Sequence, residues 1–256
     1  MHIVVLLKAV PIVGNERLDD GYRTQRTQLE ANGNDEYVLE KALKLTETTG
    51  GEVSLLSMGP AGAVDAIRKA LAMGATRAYH VQDEALAGAC LRQTIDVLTA
   101  AVQKLEFDLL FCGADTSDGQ GGVVAPALAA RLGLPYLSYA SEIEPGEDTV
   151  RVHRLSPTGY DVLESATPAL VMGTQVLGEP RYPSLRGIMQ ARSKEVTLWS
   201  LADLGIDPAS VGGDAATTKV LSKEAPPQRS GATILKGAPE EVVAQTVDFL
   251  AQRRLI

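Results

Sequence analysis

The feature that most constrains this chain is the regular alternation, across its first half, of short β-branched runs with longer amphipathic stretches. Such alternation is expected of successive βα units wound around a mostly parallel sheet. Ile3 to Leu7 begins the pattern as a strand. After a polar loop, Asp35 to Thr48 places Val38, Leu39, Ala42 and Leu43 on one helical face, and Gly50-Gly51 stops it. Val53 to Met58 predicts the next strand. Gly59-Pro60 then turns the chain into a helix over Ala63 to Met73, with Val64, Ile67, Ala70 and Leu71 as its buried stripe and Gly74 as its cap. Arg77 to Val81 predicts a third strand, Ala89 to Leu105 a third helix and Asp108 to Cys112 a fourth strand. The loop Gly113 to Gly122 follows and leads into an apolar helix, Val123 to Leu132.

From Tyr136 to Met172 the pattern becomes closely spaced strands with turn signals at Pro145-Gly146 and Pro157-Thr158-Gly159, which predicts antiparallel strands extending the sheet. Gly178 to Pro183 reads as an extended loop, because its prolines remove donors and keep the preceding residues out of helix. Residues 206 to 237 hold Pro208, Gly212-Gly213, Pro226-Pro227 and Gly231 and have no clustered apolar residues of their own. A final helix follows, with Pro239 in its first turn and Val243, Val247 and Leu250 on one side. The expected organisation is therefore an α/β domain over 1–205 and an extended arm with a docking helix over 206–256, suited to wrapping another subunit.

With 256 residues, 45% of them hydrophobic, the chain can bury an ordinary core. A net charge of −8 disfavours nucleic acid and anionic membranes as general partners, so any anionic ligand would rely on backbone N–H groups or a helix N-terminus. Cys90 and Cys112 lie far apart without histidines at ligand spacing, and neither a disulfide framework nor a metal site is expected. No run approaches the ~20 apolar residues of a membrane span. The N-terminus shows no leader, and a soluble, cytoplasmic protein is the expectation.

Catalytic constellations are not evident. His2, His80 and His153 fall at strand-like positions without nucleophile or metal partners, and Asp19-Asp20 and Glu142-Glu144 read as solvated acids. The best small-molecule site is the loop Gly113-Ala114-Asp115-Thr116-Ser117-Asp118-Gly119-Gln120-Gly121-Gly122. Its glycines let amides approach a phosphate, Thr116, Ser117 and Gln120 supply donors, and the following helix adds its positive end. It matches neither the Walker nor the Gly-x-Gly-x-x-Gly pattern, and a tight strand-to-helix loop is an equal alternative. In a parallel sheet, Leu6 to Val10, Asn32-Gly33-Asn34-Asp35 and Met58-Gly59-Pro60 gather at the same edge, where ligand crevices form. Asn34 or Asp35 has the alternative task of capping the first helix.

Glu179-Pro180-Arg181-Tyr182-Pro183-Ser184-Leu185, with Ile188-Met189-Gln190-Ala191-Arg192 after it, closely resembles a string of the electron transfer flavoprotein β subunits. Further segments agree in order: Leu7-Lys8-Ala9-Val10-Pro11, Asn32 through Leu45, Ala70-Leu71-Ala72-Met73-Gly74-Ala75 and Pro226-Pro227-Gln228-Arg229. The resemblance implies a doubly wound, flavodoxin-like or adenine-nucleotide α-hydrolase-like sheet with a small antiparallel extension and a C-terminal arm. It implies a heterodimer with an α subunit that holds most of the FAD, and AMP in this subunit, contacted by Leu6, Asn32, Gly33, Asn34, Asp35, Met58 and the loop from Gly113 to Gly121. Partner recognition falls to Glu179, Arg181, Tyr182 and Leu185. Acyl-CoA or related dehydrogenases are the implied donors and a quinone oxidoreductase the acceptor. Two departures stand out: Lys8-Ala9-Val10-Pro11 replaces the customary Lys-Arg-Val-Pro, and Ser117-Asp118-Gly119 stands where many members have three acidic residues. A second FAD in place of AMP, as in electron-bifurcating members, and a stand-alone adenine-nucleotide-binding protein are the alternatives.

Overall fold

A computed structural model describes residues 1–12, 14, 17–224 and 231–256, so the Pro226–Arg229 segment lies outside the described residues. They form two compact units, Met1–Leu221 and Ser222–Ile256. The first therefore continues past the expected boundary at residue 205.

The first unit is built on nine strands. Those read from periodicity appear within a residue of expectation as β1 (His2–Leu6), β4 (Glu52–Met58), β5 (Arg77–Val81) and β6 (Leu109–Gly113). Their parallel order is β5-β4-β1-β6, extended by β11 (Val196–Trp199) beside β5. Beyond β6 come β10 (Ala169–Gly173) and β7 (Tyr136–Pro145), both still parallel, and then β8 (Thr149–Ser156) and β9 (Gly159–Ala166), which run antiparallel. The expected antiparallel block thus needs one correction. All five residues of β10 are buried, and such a continuous apolar run belongs inside a sheet covered on both faces. A small ribbon of β2 (Ala9–Pro11) and β3 (Leu29–Ala31), not anticipated from the sequence, stands apart.

Strand alternation divides the core. Ile3 and Val5 face α1 (Gly33–Thr49), α2 (Val64–Met73) and α5 (Leu185–Ala191), while Val4 and Leu6 face α3 (Leu91–Val102) and α4 (Val124–Leu132). The stripe expected on α1 is buried throughout. On α2, Ile67, Ala70 and Leu71 are buried, Val64 is half-buried and Ala66 completes the face. Helix α2 ends at Gly74, whose φ of 145° suits glycine. From β1 the chain moves to β4 and β5 on one side, and then returns to β6 on the other. The switch point lies between the C-terminal ends of β1 and β6, where open α/β sheets bind ligands.

A four-residue turn, α6 (Gly212–Ala215), lies near the end of this unit. The second unit contains α7 (Pro239–Gln252), with its proline in the first turn as expected. Among the described residues, no helix is long and apolar enough to cross a membrane.

Candidate functional site

Leu6 and Gly113 end the two central strands, and Asp35 lies between them. An added Cβ on Gly113 would stand 2.4 Å from Asp35 Oδ1, so only glycine admits the carboxylate there. Asp35 is 4% exposed and accepts the Lys8 backbone N–H at 2.8 Å. Burial dominates its ionisation and pushes its pKa up to about 7, against the Lys8 N–H, Asn32, the Lys8 charge and Gly113, which all favour the anion. The same burial, with Asp35 nearby, pushes the Cys112 thiol up.

Asn32 stands at the N-cap of α1, yet makes no capping bond. Its amide instead braces the glycine-rich loop: Nδ2 donates to the Asp115 carbonyl at 2.9 Å, and Oδ1 accepts the Ser117 N–H at 3.3 Å. Asn34 Nδ2 donates to Asp115 Oδ1 at 2.6 Å. Neither Asn34 nor Asp35 is the cap. This correction has a physical reason: polar side chains at a helix start satisfy the strongest nearby groups, and here these belong to another loop.

Asp118 is the loop's second anchor. Its side chain is 3% exposed, with Oδ1 2.8 Å from Lys8 Nζ and Oδ2 2.7 Å from Arg26 Nη2. Burial raises its pKa, but the hydrogen bond and charge of Lys8, Thr116 and the Arg26 charge outweigh it and hold the carboxyl down at about 2. Within the loop, Thr116 Oγ1 accepts from Gly119 N–H at 3.3 Å and the Thr116 carbonyl from Gln120 N–H at 2.8 Å. Gln120 at φ 45° and Gly122 at φ 60° then swing the chain into α4. Beyond that turn, the N–H groups of Gly121, Gly122, Val123, Val124 and Ala125 have no acceptor among the described residues. Ser117 Oγ is buried, also without a partner among them. An added Cβ on Gly121 would have Gly119 O, 4.0 Å away, as its nearest neighbour.

Asn32, Asn34, Asp35 and the loop from Gly113 through Gln120 are thus brought together. Leu6 is different: its side chain is core, so it offers only backbone. Met58 ends β4, followed by Gly59, whose carbonyl lies 3.1 Å from buried His80 Nε2. Burial lowers the His80 pKa despite that bond. Sequence reasoning missed Arg26, one of three arginines with Arg17 and Arg23 in a polar loop, 92 residues from the carboxylate it meets.

A second surface lies along 179–192. Arg181 is held inward: its Nε is 2.7 Å from Glu40 Oε2, its own N–H donates to the same atom at 3.1 Å, and Nη1 lies 2.5 Å from Glu47 Oε1. Burial pushes Glu40 up, but Arg181 outweighs it and leaves Glu40 below the usual range. Arg181 therefore fixes the loop to α1. Ser184 caps α5 by accepting the Gly187 N–H at 3.0 Å, which makes Leu185 the helix's first residue rather than part of the loop before it. Glu179 is exposed, Tyr182 and Leu185 are 95% and 76% exposed, and Met189 is exposed one turn beyond Leu185 on the same face. On the sheet extension, Glu142, Glu144 and His153 bring their ligand atoms within 4.8 Å; both glutamates are exposed, and His153 Nδ1 lies 3.2 Å from Glu142.

These features define a doubly wound α/β protein with a run of unpaired amides on the loop after β6, near its switch point, and a separate exposed apolar surface along 182–189. A family model described as "Electron transfer flavoprotein domain" matches residues 21–204. The electron transfer flavoprotein subunit beta of Thermoanaerobacterium thermosaccharolyticum is 36% identical over 260 residues, covering 100% of both chains. The Mycobacterium tuberculosis protein of the same name is 34% identical, covering 100% of this chain and 99% of its own. The Caffeyl-CoA reductase-Etf complex subunit CarD of Acetobacterium woodii is 33% identical over the whole of both. The chain belongs to the electron transfer flavoprotein family, among its β subunits. Its role is electron transfer alongside a partner subunit, in a family that works with flavin.

Proposed function

We propose that this chain is the AMP-binding β subunit of a heterodimeric, cytoplasmic electron carrier whose FAD is held mainly by the α subunit. Its donors would be acyl-CoA or related dehydrogenases, its acceptor a quinone oxidoreductase. The observation that carries the AMP reading is the row of amides from Gly121 to Ala125 beside the unpartnered Ser117 hydroxyl. Donors of this kind at a helix start suit one phosphate without a lysine-rich pocket. Leu6, Gly33 and Met58 would line the crevice, with Asn32, Asn34 and Asp35 on its floor. AMP has no redox chemistry here; the flavin carries the electrons, and this chain's residues hold the nucleotide and present the docking face.

Release and chromatography of nucleotides from the purified complex is expected to give one AMP and one FAD per heterodimer. Two FAD and no AMP would replace this reading with the bifurcating one. Because open space surrounds the Cβ position of Gly121, Gly121→Val should spare folding while filling the cradle. The expected result is loss of AMP at an unchanged unfolding midpoint; full retention would make the loop merely structural.

The exposed Leu185 is the proposed anchor for the electron donor, with Tyr182 and Met189 around it and Arg181 holding the loop in place. An anchor of this kind contributes about 2 kcal/mol or more, roughly thirtyfold in affinity, so Leu185→Ala should weaken donor docking by that factor. Nucleotide content and unfolding should not change, since this side chain has little burial to lose. Unaltered transfer kinetics at limiting protein would sink the assignment.

A further inference from the structure

Two cations stand beside the crevice, and simple electrostatics would assign them to the ligand's phosphate. The contacts say otherwise. Lys8 Nζ is taken by Asp118 Oδ1 at 2.8 Å and Thr116 Oγ1 at 3.2 Å. Arg26 is taken by Asp118 Oδ2 at 2.7 Å and the Ala9 carbonyl at 3.0 Å. One buried carboxylate therefore joins three stretches of chain: the link after β1, the residues before β3 and the loop after β6. Asn32 and Asn34 hold the same loop at Asp115 and Ser117. With its first half fixed at both places, the loop makes the Gln120 and Gly122 turns, after which the amides from Gly121 to Ala125 have no acceptor among the described residues.

We infer that Lys8, Asp118 and Arg26 form a positioning cluster that presets the nucleotide loop, and that the phosphate is recognised by the loop's amides rather than by these two cations. The inference rests on the AMP reading and adds to it a division of labour that the sequence did not suggest. It reverses the sign expected for one substitution. If the cations bind the ligand, Asp118→Asn removes a competing anion, frees both of them and tightens AMP. If they preset the loop, the same change releases it, and AMP binds more weakly because the loop must be ordered on binding.

The test measures AMP affinity of the full complex across a range of salt concentrations, for the wild type, Asp118→Asn, Asp118→Glu and Arg26→Gln, with unfolding midpoints recorded alongside. Asp118→Asn is expected to weaken AMP about tenfold, comparable to the ordering of one or two side chains. Asp118→Glu should recover part of the loss, which a deleted structural contact would not do. The salt dependence should be shallow and the same in the wild type and Arg26→Gln, because a phosphate held by amides has no mobile cation to screen. Arg26, 30% exposed, provides a variant that folds if Asp118→Asn does not. Tighter AMP in Asp118→Asn, or a steep salt dependence that Arg26→Gln flattens, would overturn the inference. A wild-type complex that binds no AMP would overturn the ligand reading itself, and this inference with it.

Discussion

Replacing Asp35 by asparagine is expected to change how stability depends on pH, in favour of the variant as pH rises. In the unfolded chain Asp35 releases its proton near its ordinary 3.8, whereas in the folded protein it does so only near 7. Between those values the folded state keeps a proton that the unfolded state has lost. Raising pH through this window therefore favours unfolding, and the stability present below 3.8 is gone above 7. The whole interval corresponds to roughly 4 kcal/mol, and water penetration and relaxation would reduce that to about half. Asparagine has no such proton, and its carbonyl can still accept the Lys8 N–H. The comparison is a difference between about pH 5 and about pH 8, so any fixed effect of the substitution cancels. Denaturant unfolding at the two pH values spans about two of the three pK units, so the wild type should lose roughly 1 to 3 kcal/mol relative to Asp35→Asn. Parallel profiles would mean that Asp35 is solvated or better paired than its surroundings indicate. Asp118 contributes with the opposite slope: its folded pKa is depressed, so its stabilisation is present above 3.8 and lost as pH falls toward about 2.

The two aspartates show where the sequence was legible and where it was not. Val38, Leu39, Ala42 and Leu43 repeat at helical spacing, and their burial followed from that repeat alone. So did the strands of the parallel core, because continuous apolar runs have few other places to go. The convergence of Asn32–Asp35 with the Gly113 loop could also be read, since a parallel sheet puts the C-terminal ends of its strands on one edge. Individual roles within that convergence could not. Asp35 was read as a nucleotide contact with helix capping as the alternative, and only the approach of Gly113 and the Lys8 amide makes it a buried acid. Arg26 lies in a stretch with no periodicity, and its task depends on a carboxylate at Asp118 that local pattern cannot reach. Arg181 was grouped with the docking residues because it shares their string, yet the glutamates that hold it are on α1, far away in sequence. Strand β10 was misread for a related reason: in sequence it follows a hairpin, but its fully buried face required a place between two parallel strands.

Deleting Ser222–Ile256 is expected to leave the first unit folded and to weaken assembly with the proposed α subunit by about a hundredfold or more. The first unit has its own two-sided core, and none of the residues forming it lies beyond Leu221. Among its described residues the second unit has a single helix of fourteen residues, a length at which isolated helices are marginal in water. Its start is well made: Pro239 opens the first turn, Glu240 and Glu241 suit the positive end, and Ala238 N–H donates to Glu241 Oε2 at 3.4 Å. Such local devices do not compensate for an uncovered apolar stripe. Val243 and Val247 are 62% and 48% exposed one turn apart, Leu250 continues their line half-exposed, and Ile234 ahead of the helix is 76% exposed. Covering three such side chains would contribute about 5 kcal/mol of apolar burial, and ordering the arm would offset part of it. A net loss of about 3 kcal/mol, or a hundredfold or more in dimer affinity, is the expected effect of the deletion. Triple substitution of Val243, Val247 and Leu250 by alanine should reproduce most of it, because alanine keeps the helix and removes only what it would bury. Full-affinity assembly by both variants, with an unchanged unfolding midpoint for the first unit, would show that the arm is not the element that holds the partner.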